Sequence, residues 1–128
     1  MSNKEFEKQL KKRLLVYSLK LVRHAKELPW QDPVLKVAQN QIIRSGTSMA
    51  ANYFEATAGS SRKDFTNFNN HALKSANETV FWLLFLDDYL NNSSELRCLL
   101  LQETKELANL FGSIVLSSKN QKDKKDFS

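Results

Sequence analysis

Arg44 to Phe65 reads RSGTSMAANYFEATAGSSRKDF, and the fold turns on this stretch. Its first half is built from small residues, Ser45, Gly46, Ala50 and Ala51, with Ser48, Asn52 and Glu55 recurring at helical spacing. Gly59-Ser60 then interrupts the pattern, because glycine followed by serine favours a turn over a continuing helix. Ser61 stands three residues before Asp64, a variant of the capping box in which a hydroxyl accepts from the first orphan amides of a new helix. One helix therefore ends and another begins inside the stretch.

Working outward, the segment before it opens on Asp32-Pro33, an N-cap followed by a residue suited to the first helical position. That second helix is predicted to turn Val34, Val37, Ala38, Ile42, Met49, Tyr53 and Ala56 inward. Before Pro29, apolar residues at Phe6, Leu10, Leu14, Tyr17, Leu21, Ala25 and Leu28 mark one face of a long first helix. The third helix, starting at Ser61, carries Phe65, Phe68, Ala72, Ser75, Thr79, Trp82, Leu86 and Tyr89 on its predicted inner face and runs to a turn at Asn91 to Ser94. The fourth presents Leu96, Leu99, Leu100, Leu107, Leu110, Phe111 and Ile114. Four helices with short connections predict an all-α, antiparallel up-and-down four-helix bundle.

Composition agrees. A chain of 128 residues that is 41% hydrophobic suits one domain, expected over residues 1–118, with a polar basic tail over 119–128 expected to be disordered. Three glycines and two prolines leave few places to turn, which favours long helices over many short strands. Cys98 is the single cysteine, so no intrachain disulfide forms. The first thirty residues carry no uninterrupted apolar run of the signal-peptide type, and Val80 to Leu86 is far short of a membrane span, so the cytoplasm is the expected compartment.

Two helices are apolar on more than one side. Ile43, Ala50 and Phe54 lie off the inner stripe of the second helix, and Phe81, Leu84 and Phe85 lie off that of the third. A bundle buries one face of each helix, so these six residues are the candidate oligomer interface.

The stretch from Arg44 to Glu55, followed by Ser61-Arg62-Lys63-Asp64-Phe65, resembles the four-helix-bundle proteins encoded by intervening sequences of bacterial 23S ribosomal RNA genes. Ala72, Ser75 and Glu78 resemble the Ala, Ser and Glu of that family's third helix. The family is similar to the accessory variability determinant of diversity-generating retroelements, a pentameric barrel with a basic surface that associates with a reverse transcriptase and nucleic acid. The resemblance thus implies a homo-oligomer, by analogy a pentamer, with RNA or DNA and a reverse transcriptase or other protein as partners.

Arg44, Ser48, Asn52 and Glu55 share one edge of the second helix, and His71, Ser75 and Glu78 one edge of the third. If the edges meet, they form a structural polar network that fixes helix register, since an unpaired buried polar group costs about 1–3 kcal/mol. The sharper alternative is a small hydrolase using Glu55, Glu78 and His71 as acid and base. Glu-x-x-His pairs, Cys-x-x-Cys, a phosphate loop and a Gly-x-Ser-x-Gly elbow are all missing from the chain, so no enzyme activity, metal or cofactor is expected.

Charge is the remaining signal. The first helix, Met1 to Leu28, holds eight basic and three acidic residues, and its excess of five equals the whole chain's net charge of +5. Lys8, Lys12, Arg13, Lys20, Arg23 and Lys26 lie away from its apolar stripe and are the candidate nucleic-acid-binding residues, with Lys119, Lys122, Lys124 and Lys125 added by the tail. Repeated around an assembly, that strip becomes a belt able to neutralise phosphates without reading sequence. The expected function is a non-catalytic, self-assembling accessory or scaffold that associates with nucleic acid electrostatically. A protein-interaction adaptor without nucleic acid is the alternative.

Overall fold

The computed structural model describes residues 3–59 and 61–126, the side chains of 122–126 excepted. Within these residues four helices follow one another: α1 (Asn3–Lys26), α2 (Pro33–Ala58), α3 (Arg62–Leu90) and α4 (Glu95–Asp126). Consecutive helices pack along their length, whereas α1 and α4 touch sparsely and α1 does not reach α3. The helices therefore stand in chain order around one core, as the up-and-down bundle requires.

The ends are set by the residues that predicted them. Asp32 Oδ1 accepts from the amides of Val34 and Leu35 at 2.8 and 3.3 Å, and Pro33 follows at the first helical position. Ser61 Oγ accepts from the Asp64 amide at 3.1 Å. Asn91, at φ 53°, closes α3 in the left-handed conformation that asparagine tolerates. Ser94 Oγ accepts from the Arg97 amide at 2.9 Å and opens α4. The boundary expected at Ser118 does not coincide with a helix end, because no glycine or proline interrupts the lysine-rich segment and α4 continues to Asp126. Of the expected tail, Phe127, Ser128 and the side chains of Lys122, Lys124 and Lys125 lie outside the described residues.

The inner face of α1 is the predicted one from Leu10 to Leu28, with Phe6 at its exposed end. The other three stripes are rotated. In α2, Leu35 is buried while Val34 and Val37 face out. In α3, Asn69, Ala76 and Leu83 join Ala72, Thr79 and Leu86 in the core; Phe65, Phe68, Ser75 and Trp82 are only half-buried and Tyr89 is exposed. In α4, Leu96 and Leu99 are exposed, while Arg97, Thr104 and Val115 are inside with Leu100, Leu107 and Phe111. In α3 the cause is close approach to α2, where Ser45 bonds Thr79 and the buried Ala72 and Ala76 leave no room for aromatic rings. Among the described residues no helix is long and apolar enough to cross a membrane.

Candidate interaction surface

The polar edge between α2 and α3 assembles in part. Arg44 donates to Gln41 and to the Glu78 carboxylate, joining α2 to α3. Ser75 Oγ donates to Ser48 Oγ at 3.1 Å, and Asn52 Nδ2 donates to the Ser48 carbonyl at 2.8 Å. Glu55 and His71 remain outside this network. Both are exposed, and His71 lies edge-on to the Phe68 ring on its own helix. A pair that the sequence reading missed sits deeper: Ser45 and Thr79 share a hydrogen bond of 2.8 Å, each with no exposed surface. A serine or threonine within an apolar stripe was its only signal.

Three hollows mark the surface of the described residues. One, about 610 Å³ at the end of the bundle, is lined by residues including Tyr53, Arg62, Phe65 and Ser118. Burial, and secondarily the charge of Glu7, push the Tyr53 hydroxyl up to about 12, so it stays protonated there. Glu55, Glu78 and His71 line none of these three. Among the described residues, no group of three His, Cys, Asp or Glu is placed to hold a metal ion.

The second hollow is a groove of about 790 Å³ along the loose α1/α4 seam. Val16, Leu96, Leu99 and Leu100 contribute its apolar surface, and Lys12, Arg13 and Lys20 line it from α1. Arg13 is neutralised across the seam by Glu103 at 2.5 Å and Glu106 at 3.0 Å. Lys12 and Lys20 are exposed and form no ion pair among the described residues. Lys8, Arg23 and Lys26 are also exposed and stand outside the groove. Thus the six candidate cations divide into groove residues and free-surface residues. Leu15, Val16 and Leu19 are exposed among them, an apolar component that counting charges had passed over.

The third hollow, about 430 Å³, is a shallow dip on the outside of α3 lined by Phe81, Leu84, Phe85, Asp88 and Tyr89. The rings form a continuous ridge: Phe81 meets Trp82 at 5.0 Å between centroids, Trp82 meets Phe85 at 5.4 Å, and Phe85 stacks on Tyr89 at 5.7 Å. Tyr89 also donates from its hydroxyl to Asp32 Oδ2 at 2.8 Å, which holds that carboxyl below its usual range and fixes the end of the ridge to the start of α2. Of the candidate interface residues, Phe81 and Leu84 are exposed and Phe85 is half-buried in this ridge. On α2, Ile43 and Ala50 pack partly against the chain's own core, and exposed Phe54 receives the Lys11 ammonium 5.3 Å above its ring.

An all-helical four-helix bundle is the architecture the sequence resemblance implied. Residues 8–113 match the family described as 23S rRNA-intervening sequence protein, and the chain belongs to that family. It is also similar to a solved structure, a protein with unknown function from the S23 ribosomal protein family of Bacteroides thetaiotaomicron VPI-5482. The two share 35% sequence identity and a TM-score of 0.74, with 82% of this chain and 96% of that chain covered. No curated protein matches the chain.

Proposed function

We propose that this protein is a non-catalytic, self-assembling cytoplasmic accessory that associates with nucleic acid through charge. The observation that carries the reading is the row of exposed cations on α1, Lys8, Lys12, Lys20, Arg23 and Lys26, which form no ion pair among the described residues, on a helix whose only acidic residues are Glu5 and Glu7 in a chain of net charge +5. Such cations attract phosphates without base contacts, and each phosphate neutralised releases counterions, so affinity falls steeply with salt. Self-assembly is supported by the uncovered aromatic ridge on α3, and it multiplies the charge presented.

The test is RNA and DNA binding as a function of salt, comparing the native chain with Lys8→Glu, Arg23→Glu and Lys26→Glu, which lie outside the α1/α4 groove. Each reversal is expected to weaken binding uniformly across sequences and to reduce the slope of log affinity against log salt by about 1. Absence of binding at low salt by the assembled protein refutes the nucleic-acid reading. The exposed ridge also favours a second reading, a protein-interaction adaptor. That reading predicts a protein partner retained through Phe81 and Phe85 at high salt, with no nucleic acid.

A further inference from the structure

The hollow at the end of the bundle gathers groups from all four helices that the proposed function does not use. Phe6 and Glu7 of α1, Tyr53 of α2, Arg62 and Phe65 of α3 and Ile114 of α4 are among the residues that line its roughly 610 Å³, a volume within the range of small-molecule sites. Two of its polar groups are unmet. Tyr53 is 2% exposed with its ring tilted against Phe111, and its hydroxyl forms no hydrogen bond among the described residues. Buried donors in native proteins are nearly always paired, so a hydroxyl at a cavity wall with no protein acceptor marks a place for a ligand's oxygen. Since the hydroxyl stays protonated, it has a hydrogen to give. Arg62 is the second unmet group. Its Nη1 donates to the neutral Gln121 side chain, it forms no ion pair among the described residues, and its Nε and Nη2 edge is unused. That edge carries two parallel N–H groups spaced to match the two oxygens of a carboxylate.

We infer that this hollow binds a small organic monocarboxylate with an apolar body: the carboxylate on the Nε and Nη2 edge of Arg62, the body against Phe6, Phe65 and Ile114, and an oxygen accepting from Tyr53. Phe6 is 37% exposed and Phe65 and Ile114 are half-buried, so water covers apolar surface that the body of such a ligand takes over. Local charge selects among anions. Glu7 lines the same hollow, and although its carboxylate pairs with Lys11 at 2.9 Å, both side chains are about a third exposed. Its remaining field repels a dianion about twice as strongly as a monoanion, which disfavours a phosphate monoester. One guanidinium balances one carboxylate. None of the α1 cations invoked for nucleic acid lines the hollow, so the two sites are separable.

The test is calorimetric titration of the full chain with phenylpropionate and with octanoate, beside phenylpropanamide, acetate and inorganic phosphate. Both apolar carboxylates are expected to bind once per chain. The neutral amide should bind about tenfold more weakly than phenylpropionate for want of the charged pair, and acetate more weakly still for want of a body. Arg62→Gln, at an exposed position, is expected to weaken phenylpropionate about tenfold and leave the amide unchanged; Arg62→Lys should not restore binding, because an ammonium lacks the parallel pair. Tyr53→Phe is expected to weaken binding about threefold while the melting temperature of the free protein holds, a split that separates a ligand contact from a structural one. Equal affinity for phenylpropionate and its amide overturns the proposal, as does a carboxylate affinity that Arg62→Gln leaves intact. Displacement of phenylpropionate by an equal concentration of phosphate assigns the hollow to phosphate instead and overturns the carboxylate assignment. Failure of both carboxylates to bind at millimolar concentration overturns the site itself and leaves the nucleic-acid reading untouched.

Discussion

Arg97 of α4, 3% exposed, holds the Asp87 carboxylate of α3 at 2.5 Å and bridges the turn between the two helices. A second guanidinium nitrogen, Nη2, donates to the carbonyl and the side-chain oxygen of Asn92, both at 2.8 Å. A cation this deep depends on its partners. Asp87→Ala strands the buried charge and is expected to lower unfolding free energy by about 3 kcal/mol, measured by urea denaturation. Replacing both partners, Asp87→Leu with Arg97→Met, is expected to cost less than Asp87→Ala alone. A loss below about 1 kcal/mol for Asp87→Ala contradicts the assignment.

Gly46 and Gly112 are expected to respond oppositely to the same substitution. A Cβ on Gly46 runs into the Leu21 side chain, which is fully buried, whereas a Cβ on Gly112 meets nothing within 4 Å. Ala at a mid-helix glycine gains about 1 kcal/mol in propensity, and overpacking costs about 1–3 kcal/mol. Gly112→Ala should therefore raise the melting temperature and Gly46→Ala should lower it. A rise for both refutes the close α1/α2 approach.

His24 makes stability depend on pH. It is 6% exposed, and its Nε2 has no hydrogen-bond partner among the described residues. Burial, followed by the charge of Arg97, lowers its pKa, against opposing contributions from Glu27 and Asp87. With the folded value below the unfolded value of about 6.5, the unfolded chain binds the proton first. The full contribution is present above that pH and is lost as pH falls from there through the folded value. Urea midpoints measured at pH 7.5 and pH 5 should drop for the native chain and drop less for His24→Phe; equal drops refute the role.

Thr79 donates to the Ser75 carbonyl at 2.9 Å while bonded to Ser45 at 2.8 Å. Thr79→Val leaves the buried Ser45 hydroxyl without that partner and is expected to cost about 1–3 kcal/mol. Glu55→Ala and His71→Ala, at exposed positions, should stay within about 0.5 kcal/mol of the native chain. Thermal denaturation of the three variants separates the network's members from its bystanders.

Helix number, order and the ends at the three turns were legible because each rests on local chemistry: Asp32-Pro33, Ser61 with Asp64, and the Asn91 turn act through their own backbones. The rotation of α3 was not. Phe65, Trp82 and Tyr89 are large and apolar, which made them read as core, but Ala72 and Ala76 set a helix separation too small to admit them. Arg97 and Thr104 were overlooked for the converse reason. They are polar, and their burial is permitted by Asp87 and Tyr17 on other helices, partners that no single-helix period reveals. The cations of α1 were readable as a strip. Their division at the groove depends on α4, about which the pattern of α1 says nothing.

The loose α1/α4 seam makes one helix separable from the rest. α2, α3 and α4 are joined by two extensive seams, whereas α1 has one such seam and, toward α4, sparse side-chain contacts such as Tyr17 with Thr104. The cheapest opening of the bundle is therefore release of α1, a partial unfolding that leaves three helices intact. Backbone amides of α1 should exchange with solvent deuterium ahead of those in α2 and α3. The exchange lifetime of this one helix therefore reads the strength of the α1/α4 seam by itself, apart from the stability of the other three helices.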